Sequence, residues 1–296
     1  SAPARAAVTT HRRSGWMPAS GAPAALLLAG FFVVPAAMIL AVSFFSSSLT
    51  GIEWTLSLRN YDRLFGGHVA LPVLRRSIVV ATVVTLIVLL IAYPASYWIV
   101  TRRTRLRSLL LLLILLPYWI SYVVRTYAWY PLLGTHGVLN TLLVAMGVLS
   151  EPSPHLLFSG LSVYLGLVYV WFPFAAVPIY LALDRIDRTY LEASADLGAT
   201  RMQSFWRVVF PLSLPGTIGG GMLVFILTAG SYVTPKLLGG PSSIMFGEII
   251  VDQFGGTFDW AFGAALSVAF ILVIAGLVLV VGRFVGLRRV FLGQGA

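Results

Sequence analysis

Few side chains in this sequence of 296 residues are of the types that carry out enzyme chemistry. Its only lysine, Lys236, lies between Pro235 and Leu237, whereas a P-loop needs a lysine within G-x-x-x-x-G-K-[ST] to reach nucleotide phosphates. The four histidines form no H-E-x-x-H pair, no G-x-S-x-G segment occurs, and there are no cysteines. The sequence therefore predicts no catalytic residue, no metal site and no cofactor held by this chain.

The most informative polar segment runs from residue 187 to residue 215. Thr189 with Glu192 fits a capping box, in which Ser or Thr at the N-cap is followed three residues later by Glu or Gln. Thr200 with Gln203 fits the same pattern. Gly198 lies between them, where helices commonly end in a left-handed residue, and Pro211 lies where a second helix should stop. The pattern predicts two short helices around a glycine turn.

This segment resembles the EAA signature of the membrane subunits of binding-protein-dependent ABC importers, E-A-A-x-x-x-G followed after nine residues by I-x-L-P. Ser194, Val208 and Phe210 replace the second Ala, the Ile and the Leu of that signature. The resemblance implies a coupling helix, within a loop spanning 186–211, that docks in a groove of an ATPase subunit. The residues assigned to coupling are Glu192, Ala193, Ser194, Asp196, Gly198, Arg201 and Pro211. A helix-turn-helix that binds DNA is excluded, because about 25 residues between two membrane spans are too few for its three-helix domain.

The elements that must hold this segment are membrane spans. Apolar residues make up 58% of the chain, charged residues 10%, and the mean hydropathy is +0.91, which no ordinary water-facing surface allows. A helix crossing a bilayer needs roughly 20 mostly apolar residues. Six runs meet this length: Ala24–Phe45, Ser77–Val100, Leu109–Tyr130, Gly160–Leu183, Leu212–Thr234 and Ala261–Val285. The first run is longer than a signal-peptide h-region, so we expect it to be an uncleaved span.

The basic residues indicate an orientation. Fourteen of the 20 Lys and Arg residues lie in the two terminal segments or in the connections after spans two and four. Since Lys and Arg collect in cytoplasmic loops, both termini should be cytoplasmic, with a tail at 1–23, a permease domain at 24–285 and a second tail at 286–296. No span carries an Asp or Glu near mid-membrane, so a proton relay is missing and the energy for uphill transport should come from another subunit.

Aromatic residues are the candidates for a translocation pathway. Tyr118, Tyr122 and Arg125 would share one face of a continuous third span. That stretch and the later run from Tyr232 to Pro241 resemble the polyamine branch of the importer family. Faces of Tyr118, Trp119, Tyr122 and Tyr232 would attract organic cations, whereas an interfacial aromatic belt is the alternative reading, favoured for Trp129 and Tyr130. We expect Arg125 to snorkel to the outer interface or to pair with an acid of a partner subunit.

The sequence thus predicts an all-α, polytopic membrane protein with six transmembrane helices and, by resemblance, the type I ABC importer permease fold. The implied partners are a second, related but non-identical permease subunit, two ATPase subunits that bind ATP and Mg²⁺, an extracytoplasmic substrate-binding protein and membrane lipid, with no nucleic acid. The implied location is the bacterial cytoplasmic (inner) membrane, and the implied cargo is a polyamine. Amino acids, opines or another small solute are alternative cargoes, and a stand-alone carrier or channel or an intramembrane enzyme are alternative functions.

Overall fold

Long apolar runs of this chain form long helices, because a helix satisfies every backbone polar group within its own segment. A computed structural model describes residues 22–48 and 51–285, so most of the predicted tail at 1–23 and all of the predicted tail at 286–296 lie outside the described residues. The helices are α1 (Ala22–Val42), α2 (Arg59–Gly66), α3 (Ala70–Val100), α4 (Thr104–Leu115), α5 (Tyr122–Tyr127), α6 (Tyr130–Leu133), α7 (Val138–Ala145), α8 (Gly160–Asp184), α9 (Arg188–Asp196), α10 (Arg201–Ser204), α11 (Phe210–Ala229), α12 (Val233–Leu238), α13 (Phe246–Gly255) and α14 (Trp260–Val285).

Shorter elements join these helices. Two 3₁₀ turns occupy Leu116–Trp119 and Pro241–Ser243, and a π-helical turn occupies Phe205–Val209. Strands β1 (Ser46–Ser48) and β2 (Gly51–Glu53) pair antiparallel as a small hairpin. In the part of the chain that the structure describes, this hairpin is the one departure from the predicted all-α fold.

Within residues 22–48 and 51–285, four helices are long and apolar enough to cross a membrane: α3, α8, the continuous stretch Arg201–Ala229, and α14. Helix α1 is apolar but shorter in its described part, so the count of six spans stays a prediction. The prediction of one continuous third span over Leu109–Tyr130 is wrong. The chain bends by 101° between Thr104–Trp119 and Tyr122–Ala145. Pro117 lies in a 3₁₀ turn, and the extended backbone of Ile120 directly after this turn ends the helix.

The core lies where α3, α8 and α11 pack side by side. Val84 and Val88 of α3, Leu167 and Ile179 of α8, and Val224 of α11 are fully buried there. Gly216 and Gly220 let α11 approach α8 closely: a Cβ built on Gly220 would lie 3.0 Å from the Cα of Ala175. Gly216 and Gly220 thus form a G-x-x-x-G contact face, and these three helices form the frame that carries the polar segment.

Candidate functional site

The first arm of the predicted coupling segment is α9, and its cap differs from the prediction. Asp187 is the N-cap, and its Oδ1 accepts hydrogen bonds from the Thr189 N–H at 2.9 Å and the Thr189 hydroxyl at 2.8 Å. These bonds hold the pKa of the Asp187 carboxyl below its usual value. The predicted capping box of Thr189 with Glu192 is therefore wrong, because Asp187 caps the helix two residues earlier. The Glu192 side chain makes no hydrogen bond or ion pair with any other described residue and is exposed.

The turn after α9 follows the prediction. Gly198 has φ +79°, in the left-handed region, and its N–H donates to the Ala195 carbonyl at 2.8 Å. The next helix starts with the predicted capping box: the Gln203 N–H donates to Thr200 Oγ1 at 3.3 Å, and the Thr200 N–H donates to Gln203 Oε1 at 2.9 Å. The glycine turn and the second helix start are both confirmed.

The second arm continues where we predicted that it would stop. Helix α10, the π turn and α11 run without interruption from Arg201 to Ala229, and Pro211 lies in the first turn of α11. The wider π turn immediately before Pro211 makes room for its ring, which would clash with the carbonyl four residues earlier in a regular helix. The prediction that Pro211 ends a short helix is therefore wrong, and the segment is joined directly to a membrane-spanning helix.

The surface of this segment is apolar at its tip and charged around it. Leu197 is 89% exposed, and the side chains of Tyr190, Met202 and Trp206 are also exposed. Ala193, Asp196 and Arg201 are exposed too, and neither Asp196 nor Arg201 forms an ion pair within the described residues. Exposed apolar patches rimmed by charge are typical of protein interaction surfaces.

An ion pair that the sequence analysis missed fastens the base of the segment. Arg107 Nη1 lies 2.5 Å from Asp184 Oδ1, and Arg107 Nη2 donates to the Val100 carbonyl at 2.6 Å. These contacts bring the last turns of α3 and α8 to the same end of the molecule. A signal was present in the sequence, since Arg107 lies just before the third apolar run and Asp184 directly follows the fourth, which places both charges on the same side.

Of the four pathway candidates, the structure brings two together and leaves two apart. The Tyr118 hydroxyl donates to the Val170 carbonyl at 2.6 Å, and its ring lies 5.3 Å from that of Phe174. The Tyr122 hydroxyl lies 2.8 Å from Thr234 Oγ1, and its ring lies 5.8 Å from that of Trp171. Both tyrosines thus line up against α8.

The other two candidates lie outside this aromatic group. Trp119 is 84% exposed and Tyr232 is more than one-third exposed, and neither makes a ring contact with another described aromatic residue. Of the two residues assigned to a belt, Tyr130 donates its hydroxyl to the Leu237 carbonyl at 2.7 Å, and Trp129 packs edge-on against Tyr169.

Arg125 is buried, with 7% of its surface exposed, so the expectation that it snorkels to an interface is wrong. Its Cζ lies 4.5 Å from the centroid of the Tyr118 ring, and Nη1 donates to the Pro117 carbonyl at 3.3 Å. The bend at Ile120 folds α5 back and brings the Arg125 side chain over the Tyr118 ring. In a straight helix these two residues would lie two turns apart. Arg125 therefore fastens the bend.

A second charged group lies at the end of the molecule opposite to the coupling segment. Lys236 Nζ lies 2.9 Å from Asp252 Oδ1, and this hydrogen bond raises the pKa of the lysine. Burial raises the pKa of the nearby Glu248 carboxyl. The grouping of these two acids with the only lysine depends on how α12 and α13 pack, which the sequence pattern does not give.

The bundle of membrane helices and the exposed coupling segment are features of a class of transport protein, and comparison with known proteins identifies that class. Residues 92–288 match the family described as "Binding-protein-dependent transport system inner membrane component". The chain belongs to this family.

Individual proteins agree. The chain is 36% identical over 254 residues to the spermidine/putrescine transport system permease protein PotB of Haemophilus influenzae, covering 86% of this chain and 88% of that protein. It also resembles the crystal structure of a bacterial ABC transporter that imports the acidic polysaccharide alginate, with a TM-score of 0.70 at 14% identity over 91% of this chain and 94% of that one. A second structure of an alginate transporter, in complex with its alginate-bound periplasmic protein, gives a TM-score of 0.67 at 15% identity, over 88% of this chain and 90% of that one.

The protein is therefore a permease subunit of an ABC importer and a multi-pass protein of the inner membrane. It is a transport subunit and not an enzyme, since the proteins to which it is related are transport permeases.

Proposed function

We propose that this permease carries a polyamine across the inner membrane. The observation that carries the proposal is the sequence similarity to PotB, a spermidine/putrescine permease, which is 36% identical over 86% of this chain. The rings of Tyr118 and Tyr122 do not add to this support, because the Arg125 guanidinium already lies over the Tyr118 ring and would repel a second cation there. Glu248 and Asp252 add negative charge at the end remote from the coupling segment.

We further propose that α9 and the Gly198 turn form the surface to which the ATPase subunits bind. Leu197 presents an exposed apolar side chain at the tip, and the small residues Ala193 and Ser194 allow a partner to approach closely. ATP and Mg²⁺ are held by two ATPase subunits in this proposal. Closure of that pair moves α9, and the continuous helix Arg201–Ala229 passes the movement to the core of the bundle.

The remaining parts of the proposal concern orientation and assembly. The coupling segment and both termini face the cytoplasm, as the distribution of arginines favours. A second, related permease subunit completes the pathway, and a soluble binding protein delivers cargo to the opposite side. The alginate transporter solved with its periplasmic protein is a precedent for such an assembly on the same fold.

Transport by the reconstituted importer tests the cargo. The permease pair and the ATPase subunits are reconstituted together in proteoliposomes. ATP is added on the side of the ATPase subunits, and the binding protein with radiolabelled spermidine or putrescine is added on the opposite side. We expect uptake only with both ATP and binding protein, and little uptake of an amino acid or an opine. ATP-independent uptake would favour a carrier or channel, and uptake of an amino acid or opine alone would replace the polyamine.

Single cysteines test the coupling segment and its orientation, because the native chain has no cysteine. Ala193→Cys should crosslink to an ATPase subunit and should react with a membrane-impermeant maleimide only after the cells are permeabilised. Leu56→Cys, an exposed position at the opposite end, is the matched control and should react in spheroplasts without crosslinking to the ATPase. The reverse pattern would refute the proposed orientation.

A further inference from the structure

A cavity of about 660 Å³ lies between the first turns of α3 and α8, at the end of the molecule opposite to the coupling segment. Both helices end together at the Arg107–Asp184 ion pair, so their first turns lie together at the other end. The cavity is separate from the aromatic group around Tyr118, which is near the bend in the third span. Nothing in the proposed transport cycle uses it.

The polar residues that line the cavity can all donate hydrogen bonds, and none is acidic. Arg75 and Arg76 form no ion pair or hydrogen bond through their side chains with another described residue. Ser243 is 2% exposed, and its Oγ is buried away from the open space of the cavity, without a hydrogen-bond partner among the described residues. Gly160 is the first residue of α8, whose N–H has no acceptor within the helix and lies at the positive end of the helix dipole. This combination of donors favours an anionic group.

The rest of the lining is apolar. Val79 and Val80 of α3, Val163 and Tyr164 of α8, and Met245 form the walls. Val79 is 50% exposed, so the cavity opens onto the outer surface of the chain. Apolar walls add no favourable free energy to the binding of a free inorganic anion, whereas a hydrocarbon chain that contacts them is removed from water and binds more tightly.

The position along α3 matches the level of lipid headgroups. Helix α3 has 31 residues and is therefore ~46 Å long, whereas the hydrocarbon core of a bilayer is ~30 Å thick. Roughly five residues at each end thus project beyond the hydrocarbon, if the helix is centred. Arg75 and Arg76, the sixth and seventh residues of α3, then lie at the boundary, with the apolar walls at Val79 and Val80 one turn deeper.

We propose that this cavity binds one anionic phospholipid, with its phosphate held by Arg75, Arg76 and the N-terminus of α8, and with an acyl chain along the valine walls. The bound lipid fills the space between the first turns of α3 and α8 and links these two turns, which no ion pair of the described residues joins. The proposal does not depend on which solute is transported.

Native mass spectrometry of the purified importer, with lipid added back after delipidation, tests this site. Phosphatidylglycerol, phosphatidylcholine and inorganic phosphate are the three probes. We expect phosphatidylglycerol to bind in preference to phosphatidylcholine, and phosphate alone at millimolar concentration not to displace it. Arg75→Gln and Arg76→Gln should each lower phosphatidylglycerol binding roughly fivefold, which is the effect of one basic residue at an anionic membrane surface. Val79→Trp should lower binding by filling the apolar part while leaving both arginines in place.

Arg59→Gln is the matched control, because Arg59 is an exposed arginine without an ion pair on the same side of the fold and outside the cavity. Its binding of phosphatidylglycerol should equal that of the native importer. The proposal is wrong if Arg75→Gln and Arg76→Gln bind phosphatidylglycerol as the native protein does, or if phosphate competes as well as the lipid. It is also wrong if these variants keep the lipid but lose affinity for the binding protein, which would assign the arginines to an acidic protein surface.

Discussion

The hydroxyl of Ser194 lies 2.7 Å from the hydroxyl of Ser204, and this hydrogen bond joins α9 to the first turn of the helix that continues into the membrane. Ser194 stands where the EAA signature has its second alanine. The substitution thus adds a link between the two arms of the coupling segment, beside the backbone turn at Gly198. Because the arms are linked, a force on α9 is passed to α11 with less bending at the turn.

Removal of the Ser194–Ser204 link should loosen α9. Ser194 Oγ also donates to the Leu191 carbonyl at 2.9 Å, so Ser194→Ala loses two contacts and Ser204→Ala loses one. A net hydrogen bond is worth about 1 kcal/mol. Amide hydrogen exchange of α9 should therefore speed up in Ser204→Ala and more in Ser194→Ala, with no further increase in the double variant. Ser108→Ala, an exposed serine elsewhere, should leave α9 unchanged, and additive effects of the pair would show that the two serines act independently.

Gly198 should be required for its backbone conformation and not for space. A Cβ at Gly198 would meet no atom within 4 Å, but its φ of +79° costs an L-residue roughly 1–2 kcal/mol. ATP-dependent uptake should fall in the order Gly, Asn, Ala, Val, because asparagine tolerates the left-handed region better than alanine. Gly219→Ala is the control, since Gly219 lies inside α11 with open space around it and without a positive φ. Equal activity of Gly198→Ala and the native protein would remove the turn from the coupling mechanism.

Packing of α11 on α8 should fail when Gly216 or Gly220 gains a side chain. A Cβ on Gly216 would lie 2.7 Å from the Pro178 carbonyl oxygen and also against Ala182, and both obstacles are rigid. Overpacking of this kind costs about 1–3 kcal/mol. Gly216→Ala should therefore lower the melting temperature of the solubilised importer, whereas Gly219→Ala should not. A melting temperature unchanged by Gly216→Ala would mean that the two helices are not in contact at this point.

Tyr118 should contribute through its hydroxyl and its ring separately. Tyr118→Phe removes the hydrogen bond to the Val170 carbonyl, worth about 1 kcal/mol, but keeps the ring beneath Arg125. Tyr118→Ala also removes the cation–π contact and the packing on Phe174, so its melting temperature should fall further. Tyr127→Phe, on an exposed tyrosine, is the control. If Tyr118→Phe impaired spermidine uptake without changing stability, its hydroxyl would have a role in the pathway beyond holding the bend.

The parts that sequence predicted well are those set by local physics. The apolar runs of α3, α8, α11 and α14 are long enough to impose helices on their own, and Gly198 and Thr200 carry their turn and cap within a few residues. The predictions of helix ends were wrong where a nearby residue or turn changes the local backbone hydrogen bonds. Asp187 displaces Thr189 as the cap, and a π turn lets Pro211 enter a helix.

Contacts between distant parts of the chain were beyond the sequence pattern. The Arg107–Asp184 and Lys236–Asp252 pairs, and the contact of Arg125 with Tyr118, exist because helices pack or bend in a particular way. The helical spacing of Tyr118, Tyr122 and Arg125 suggested one face, but the break at Ile120 means that the same residues meet by folding back. The helical periodicity therefore predicted correctly that these residues lie near one another, but not the bent backbone that brings them together.

The pH dependence of stability should report the burial of Glu248. Burial raises the pKa of this carboxyl above its usual value, so its favourable contribution is complete below that value and is lost as pH rises through the raised pKa. The melting temperature of the native importer minus that of Glu248→Gln should thus decrease as pH rises from about 4 toward neutrality, the direction set by a raised carboxyl pKa. Glu53→Gln, on an exposed acid, should track the native protein across this range. A difference that instead grows with pH would show that the ionised Glu248 is stabilised, with Lys236 as its counter-charge outweighing the cost of burial.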